Sequence, residues 1–429
     1  NSPAYTTPTI LTGQRDGTGA SNAAYFGPPE SFYTKAELPA HWVGTWASAQ
    51  YYGDPGSGDG GTRDAGNAAL TLPGATLRQI IRTAIGGRQL RLTFSNEYGA
   101  TPLVIQAASV AKANGANNTS DIDVLTNTAV TFNGGSTSVT IQPGQFATSD
   151  PLDFPVAALE RIAVSTYFGD VPTSLSAHIA ARANSYLQRD ANVILDAAMT
   201  GSTFTHWFTL CSADVLAPTQ NKSIVALGDS ITDGYGVTNE SYTRWVDVLM
   251  NNLQANPDTS HLSVINMGIG TNALLSGTNP LAARARFERD VLNQPGVGYV
   301  VFLIGVNDLP GSGQTPDNMI AAFDELFKAA AAKGIKVYGG TISPRGSRAA
   351  QDVNRQTVNT WIREQYAEGK IYGLADFDEL LRDPNNQSAL SAAYRNDSIH
   401  PSAVGYKAMG DYVYSLILED VLPVPPVAN

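Results

Sequence analysis

The chain has 429 residues, 43% hydrophobic and 15% charged. That is a globular balance, long enough at roughly 100–200 residues per domain for two or three domains, and it excludes a largely disordered chain. Lys and Arg number 27 against 38 Asp and Glu, a net charge of −11 with no basic stripe, so a nucleic-acid partner is not expected. The single cysteine, Cys211, excludes an internal disulfide and a cysteine-based zinc site. No apolar run approaches the ~18 residues of a membrane span. The sequence starts at Asn1 with no charged-then-apolar signal segment, which is read as a leader already removed or a trimmed sequence. Cysteine poverty by itself leans cytosolic, but a large core needs no disulfide staples and leaves export open, and secretion is the expected location.

Residues 1–40 are rich in Gly, Ser, Thr, Pro and Ala and read as an extended arm. From 41 to 215 the texture is β. Alternating runs at 77–82, 89–94, 103–106, 129–132, 138–141 and 162–167 are separated by turn residues such as Asn96, Asn133-Gly-Gly and Pro143-Gly144. That spacing predicts a β-sandwich or jelly roll. From 221 to 429 strand-like and helix-like segments alternate. Strands are expected at 223–227, 262–265, 298–304 and 335–339, and helices near 242–253, 282–292, 316–333, 352–365 and 403–418. The third helix has good end signals: Thr315 as N-cap, Pro316 at its first position, Gly334 just beyond its end, and Ile320, Phe323, Phe327 and Ala330 along one face. Repeated β-α units imply a parallel sheet with helices on both faces.

An open α/β sheet puts its site beyond the carboxyl ends of its strands. The segments that follow those strands are Gly228-Asp-Ser-Ile-Thr-Asp-Gly234, Asn266-Met-Gly-Ile-Gly-Thr-Asn272 and Gly305-Val-Asn-Asp308; Asp397-Ser-Ile-His-Pro401 precedes the closing helix. Together they meet the needs of acyl transfer. A serine hydroxyl needs a base beside it, and His400 can serve Ser230. The base needs its tautomer fixed, which Asp397 can do from three residues upstream. The oxyanion needs preorganised donors, for which the N–H groups of Ser230 and the Gly268–Thr271 turn and the Asn307 amide are candidates.

On these four blocks, which span about residues 221–420, the second half of the chain resembles the SGNH-hydrolase, or GDSL-esterase, family. The resemblance implies a flavodoxin-like α/β/α layered domain and ester hydrolysis through an acyl-enzyme, with no metal or other cofactor. It implies Ser230 as nucleophile, His400 as base, Asp397 as the acid that orients it, and Asn307 as an oxyanion donor. The family often carries Asn-x-Gly-Ile-x-Gly-Asn in its second block, and here Thr271 stands where its last glycine would be, with Gly270 one place earlier. Either residue is left as the second backbone donor. The strand-rich half resembles the N-terminal module of some larger members around Trp42–Trp46 and Phe94–Tyr98.

Other features read more plainly. Asp229 and Asp308 are expected to hold their loops by hydrogen bonds. His41, His178, His206 and His261 lack metal-ligand spacing and are read as structural or surface residues. The Gly56–Gly61 string matches a dinucleotide pattern without its strand–turn–helix context and is discounted, and Asp54, Asp59 and Asp64 beside it are read as a solvated loop rather than a calcium site. Tyr235, Tyr242, Tyr394 and Tyr406 are candidates for the pocket or its rim, and Arg345 for a polar substrate group. Sequons begin at Asn117, Asn118, Asn221, Asn239, Asn386 and Asn396, about as many as chance gives in an asparagine-rich chain. The expected function is a serine esterase acting on acyl esters, acetyl groups on a plant polysaccharide among them. A lipase or acyltransferase of the same fold, and a carbohydrate-binding protein with a vestigial esterase half, are the alternatives. The partner is a small-molecule or polysaccharide ester, and oligomeric state is left open.

Overall fold

The computed structural model describes residues 39–53, 72–278, 280–309, 313–346 and 349–422, the side chains of 349–351 apart. The arm read over 1–40 lies almost wholly outside the described residues, as do the Gly56–Gly61 string and Asp54, Asp59 and Asp64. From Pro39 onward the chain is one compact unit.

The first half is strand-rich and antiparallel. One sheet orders Ala40–Ala47, Leu210–Pro218, Leu90–Ser95 and Phe146–Thr148. A larger one orders Ser202–Phe204, Ser185–Gln188, Thr76–Arg82, Arg161–Phe168, Leu103–Lys112 and Thr128–Ala129, with Val139–Ile141 also on Leu103–Lys112. A third joins Trp207–Phe208, Leu175–His178 and Tyr51–Gly53. The run expected at 129–132 is cut short after Ala129, because the chain turns back through Asn133, Gly134 and Gly135 at φ 52°, 80° and 120°. Phe132 keeps only an isolated bridge to Ser136.

The second half holds a five-stranded parallel sheet in the order Leu262–Gly268, Lys222–Gly228, Val297–Leu303, Lys336–Gly340 and Gly373–Ala375. The last strand, only three residues long, has no pattern that the sequence reading could catch. Among the described residues this half holds seven α-helices: α1 (Ser230–Asp233), α2 (Trp245–Ala255), α3 (Ala283–Phe287), α4 (Pro316–Ala332), α5 (Ala349–Ala367), α6 (Phe377–Leu381) and α7 (Ala403–Val421). In α4 the Thr315 side chain caps the Asn318 N–H, and Gly334 sits at φ 74° just beyond the end. Its buried stripe is Met319, Ala322, Phe323, Leu326, Phe327 and Ala330, with Ile320 only partly buried at the edge. The helix expected over 282–292 divides. After Phe287 the chain widens into a π-turn over Glu288–Leu292, in which the Asn293 N–H reaches back to the Glu288 carbonyl.

Strand order 2-1-3-4-5 leaves the switch point between the first and third strands, where an open sheet offers its crevice. The strands are apolar on both faces because both are covered. Trp245, Leu249, Tyr406 and Val413 of α2 and α7 pack with Ile224 and Val301 on one face. On the other, Ile265, Val300 and Phe302 belong to an apolar cluster that continues into Val43, Leu92 and Val215 of the strand-rich half. Ser48 forms a parallel bridge with Asn266, and the Ser263 hydroxyl donates to the Gly44 carbonyl at 2.6 Å. No described helix is long and apolar enough to cross a membrane.

Candidate active site

The first parallel strand ends at Gly228 and α1 begins two residues later at Ser230. Asp229 makes the turn: it is the N-cap, and its side chain accepts from the Ile231 N–H at 2.9 Å. Wholly buried, its carboxyl is pushed up to about 7 by desolvation, with the nearby Asp308 and Asp233 adding to the rise. Ser230 is thereby the first residue of the helix, and its N–H belongs to the turn that has no helical acceptor. The turn after the second strand runs against α1. A Cβ on Gly268 would stand 2.4 Å from the Asp233 nitrogen, so only glycine permits this approach.

His400 reaches this point from the loop before α7. Its Nε2 lies 2.9 Å from the Ser230 Oγ, and its Nδ1 lies 2.9 Å from Asp397 Oδ2. The Asp-x-x-His spacing makes the loop self-supporting. Asp397 Oδ1 accepts the N–H groups of Ile399 and His400, each at 2.8 Å, while its other oxygen takes the ring. Burial works against ionisation here, but the N–H groups of His400 and Ile399, and the ring beside them, hold Asp397 below the usual carboxylate range. With Nδ1 donating to this carboxylate, Nε2 is left as the acceptor for the Ser230 hydroxyl. Tyr235 stacks on the His400 ring at 4.0 Å and 27°. The Tyr235 carbonyl accepts from the buried Tyr406 hydroxyl at 2.8 Å, so two of the four candidate tyrosines adjoin the site. Tyr242 instead faces Glu240 and Arg82.

The two candidates for a second backbone donor part company. The Gly270 N–H donates to Asp233 Oδ2 at 3.0 Å, so it is already engaged inside the protein. Thr271 follows at φ 63°, a left-handed conformation that is rare for a β-branched residue. Thr271 is exposed, and among the described residues its N–H has no acceptor. The strain is of the kind that persists where surrounding contacts over-determine the backbone. Those contacts are dense. Asn307 Nδ2 donates to the Asn272 carbonyl at 2.9 Å. Asp308 takes the Leu274 and Leu275 N–H groups at 2.7 and 2.9 Å. An amide NH₂ carries two hydrogens, so Asn307 keeps a second one beyond this bond. Arg345 donates to the Val306 carbonyl at 2.6 Å and braces the same rim.

Two residues under the site stand outside the sequence blocks that mark it. Arg286, 1% exposed, donates to the Gly228 and Met267 carbonyls and to Asn272 Oδ1, and pairs with Asp290 at 2.7 Å. One guanidinium thus ties the ends of two strands to the residue after Thr271. Burial works against ionisation of Asp290, yet Arg289 and Arg286 hold it below its ordinary range. The signal was present: an Arg and an Asp four apart, among Ala283, Phe287 and Val291 on an otherwise apolar stretch. The second is His178, 3% exposed, whose Nε2 lies 2.9 Å from Asp233 Oδ1. It is a structural residue, as the sequence allows, and nothing near it in sequence points to a partner 55 residues away.

With this geometry in hand, residues 226–408 match the model of the GDSL-like lipase/acylhydrolase family. The chain carries a GDSL-like lipase/acylhydrolase domain. It is a carboxylic ester hydrolase by that domain. Solved structures similar to the GDSL-like domain include a GDSL-like lipase from Bacteroides thetaiotaomicron VPI-5482, 20% identical over 47% of this chain and 89% of that one, at a TM-score of 0.36. They also include the M. smegmatis aryl esterase, 15% identical over 47% and 100% at 0.38. An acetyl xylan esterase is 21% identical over 46% and 99% at 0.36. No curated protein sequence matches the chain.

Proposed function

We propose that the GDSL-like domain hydrolyses acyl esters through an acyl-enzyme on Ser230. What carries this reading is the unbroken line from Ser230 Oγ to His400 Nε2 and from His400 Nδ1 to Asp397, 2.9 Å at each step. His400 takes the hydroxyl proton as Oγ forms its bond to the ester carbonyl carbon, and Asp397 stabilises the imidazolium that results. The carbonyl oxygen becomes an oxyanion that the N–H groups of Ser230 and Thr271 and the free Asn307 hydrogen can receive. The C–O bond to the alcohol then breaks, and His400 returns its proton to the leaving oxygen. Water repeats the sequence on the acyl-enzyme: His400 takes its proton, and Ser230 leaves with that proton.

The substrate we propose is a short acyl ester, an acetyl group on a plant polysaccharide being the specific choice. Solvent access supports it: the Asp397 side chain is 43% exposed and Tyr235 47%, so a bulky alcohol can approach from outside. Secretion is proposed with it. The test is turnover across p-nitrophenyl esters of rising chain length and a panel of acetylated glycans. Fastest release of acetate, from glycans as well as from the aryl ester, is expected. Preference for long acyl chains would replace this with a lipase, and acyl transfer to an added alcohol in place of water with an acyltransferase. No turnover of any ester would leave a binding protein.

A further inference from the structure

The direction of the Thr271 N–H is set by the peptide before it, and that peptide is held through the Gly270 N–H on Asp233 Oδ2. Asp233 is the last residue of α1, which Ser230 begins. A single carboxylate therefore ties the serine's helix to the turn that carries the donor. Asp233 is 2% exposed, and its other oxygen faces His178 Nε2 at 2.9 Å. His178 belongs to strand Leu175–His178 of the antiparallel half, outside residues 226–408. Its second nitrogen, Nδ1, lies 2.8 Å from the Ala49 carbonyl, which can only accept. Both ring nitrogens thus face oxygens, Nδ1 the backbone carbonyl and Nε2 the buried carboxylate. Trp207 at 5.7 Å and Tyr51 at 6.1 Å from the ring centre fix its plane.

We propose that His178 is a positioning residue of the esterase site: through Asp233 it fixes the Gly270 peptide and so aims the Thr271 N–H at the oxyanion. The strand-rich half then sets the turnover of the other half without touching substrate. The inference rests on reading Ser230 as the nucleophile and the Thr271 N–H as an oxyanion donor. A donor that strengthens as charge develops acts on kcat and little on KM. A histidine that served only folding would lower thermal stability and leave the kcat of the folded protein alone.

The experiment is steady-state hydrolysis of p-nitrophenyl acetate, with a melting curve for each variant and kcat normalised to folded protein. His178→Leu, which removes both ring nitrogens, is expected to lower kcat at least tenfold with KM within twofold. His178→Gln, which keeps an N–H near the position of Nε2, is expected to stay within threefold of the native kcat. Asp233→Ala should match His178→Leu, and the double variant should lose no more than either alone, because both act through one bond. Native kcat in folded His178→Leu overturns the proposal, as do fully additive losses. If His178→Leu does not fold, Asp233→Ala decides in the same terms. Ser230→Ala runs alongside. Turnover that survives in it removes the nucleophile reading itself, whereas a dead Ser230→Ala beside a fully active His178→Leu removes only this proposal.

Discussion

The two loops that meet at Ser230 are built on opposite plans. The Asp397–His400 loop supports itself: one carboxylate three residues from the histidine takes two backbone N–H groups and the ring, and its side chain is 43% exposed. The 268–275 turn does almost nothing for itself. Asp233, Arg286 and the adjacent pair Asn307 and Asp308 hold it from three separate segments, and Arg286 and Asp308 are fully buried. A short-range loop fails locally, so damage there should change chemistry with little loss of fold. A turn held by buried long-range groups should show kinetic and structural damage together.

The largest effect expected is that of Ser230→Ala, which lies outside this contrast and fixes its scale. Turnover should fall by roughly 10⁵–10⁶-fold with the melting temperature held. Asp397→Asn comes next. The amide would leave the ring in the wrong tautomer, and kcat should drop by about 10³–10⁴-fold while the melting curve barely moves. A large loss of stability in that variant would break the comparison from the exposed side.

Arg286→Ala probes the other plan. It leaves Asp290 buried without one of its partners and the Gly228 and Met267 carbonyls without a donor. Breaking a buried pair this way costs about 3–5 kcal/mol, read as a lower urea midpoint at unchanged slope. A stability within 1 kcal/mol of the native protein would show that the turn does not depend on this group. Asn307→Ala sharpens the contrast within the turn, because it should mix both signs. We expect kcat to fall by roughly 10²–10³-fold through the lost oxyanion donor, at nearly unchanged KM. A modest drop in melting temperature should accompany it, through the lost bond to Asn272.

The smallest effect is one of pH. Burial pushes the Asp229 carboxyl up to about 7 in the folded chain, whereas an unfolded chain releases that proton at about 3.9. Between those values the folded state holds the extra proton. The contribution of Asp229 is therefore full below about 4 and is lost as pH rises through about 7. Asp229→Asn can keep the cap on Ile231 and should flatten that part of the stability curve. Urea midpoints at intervals from pH 4 to pH 8 measure it, and an identical slope in the variant would mean that Asp229 does not hold the proton.

The same contrast explains what could be read in the sequence. Asp397, His400, Ser230 and Asn307 stand in short blocks after strands, where spacing alone carries the chemistry, and the alternating runs announce both halves of the fold. Asp233 and His178 matter through partners far along the chain, and no local pattern encodes those pairings, whereas Arg286 shows locally only its pairing with Asp290 four residues on. His178 in particular alternates as any strand residue does. The sequence does not separate the Gly270 and Thr271 N–H groups for the same reason: a carboxylate 37 residues away engages the first of them. The π-turn at Glu288–Leu292 hid in a helical pattern because widening a helix by one residue leaves composition unchanged.

Acylation of Ser230 is the central claim, and trapping the acyl-enzyme tests it most directly. The protein is mixed with p-nitrophenyl acetate, quenched in acid within milliseconds to seconds, digested and mapped by mass spectrometry. The account predicts one acetyl group on the peptide that contains Ser230, formed within the burst of p-nitrophenol and gone once the ester is exhausted. Turnover with an acetyl group on a different side chain, or with none on Ser230 at any quench time while Ser230→Ala remains active, would contradict it.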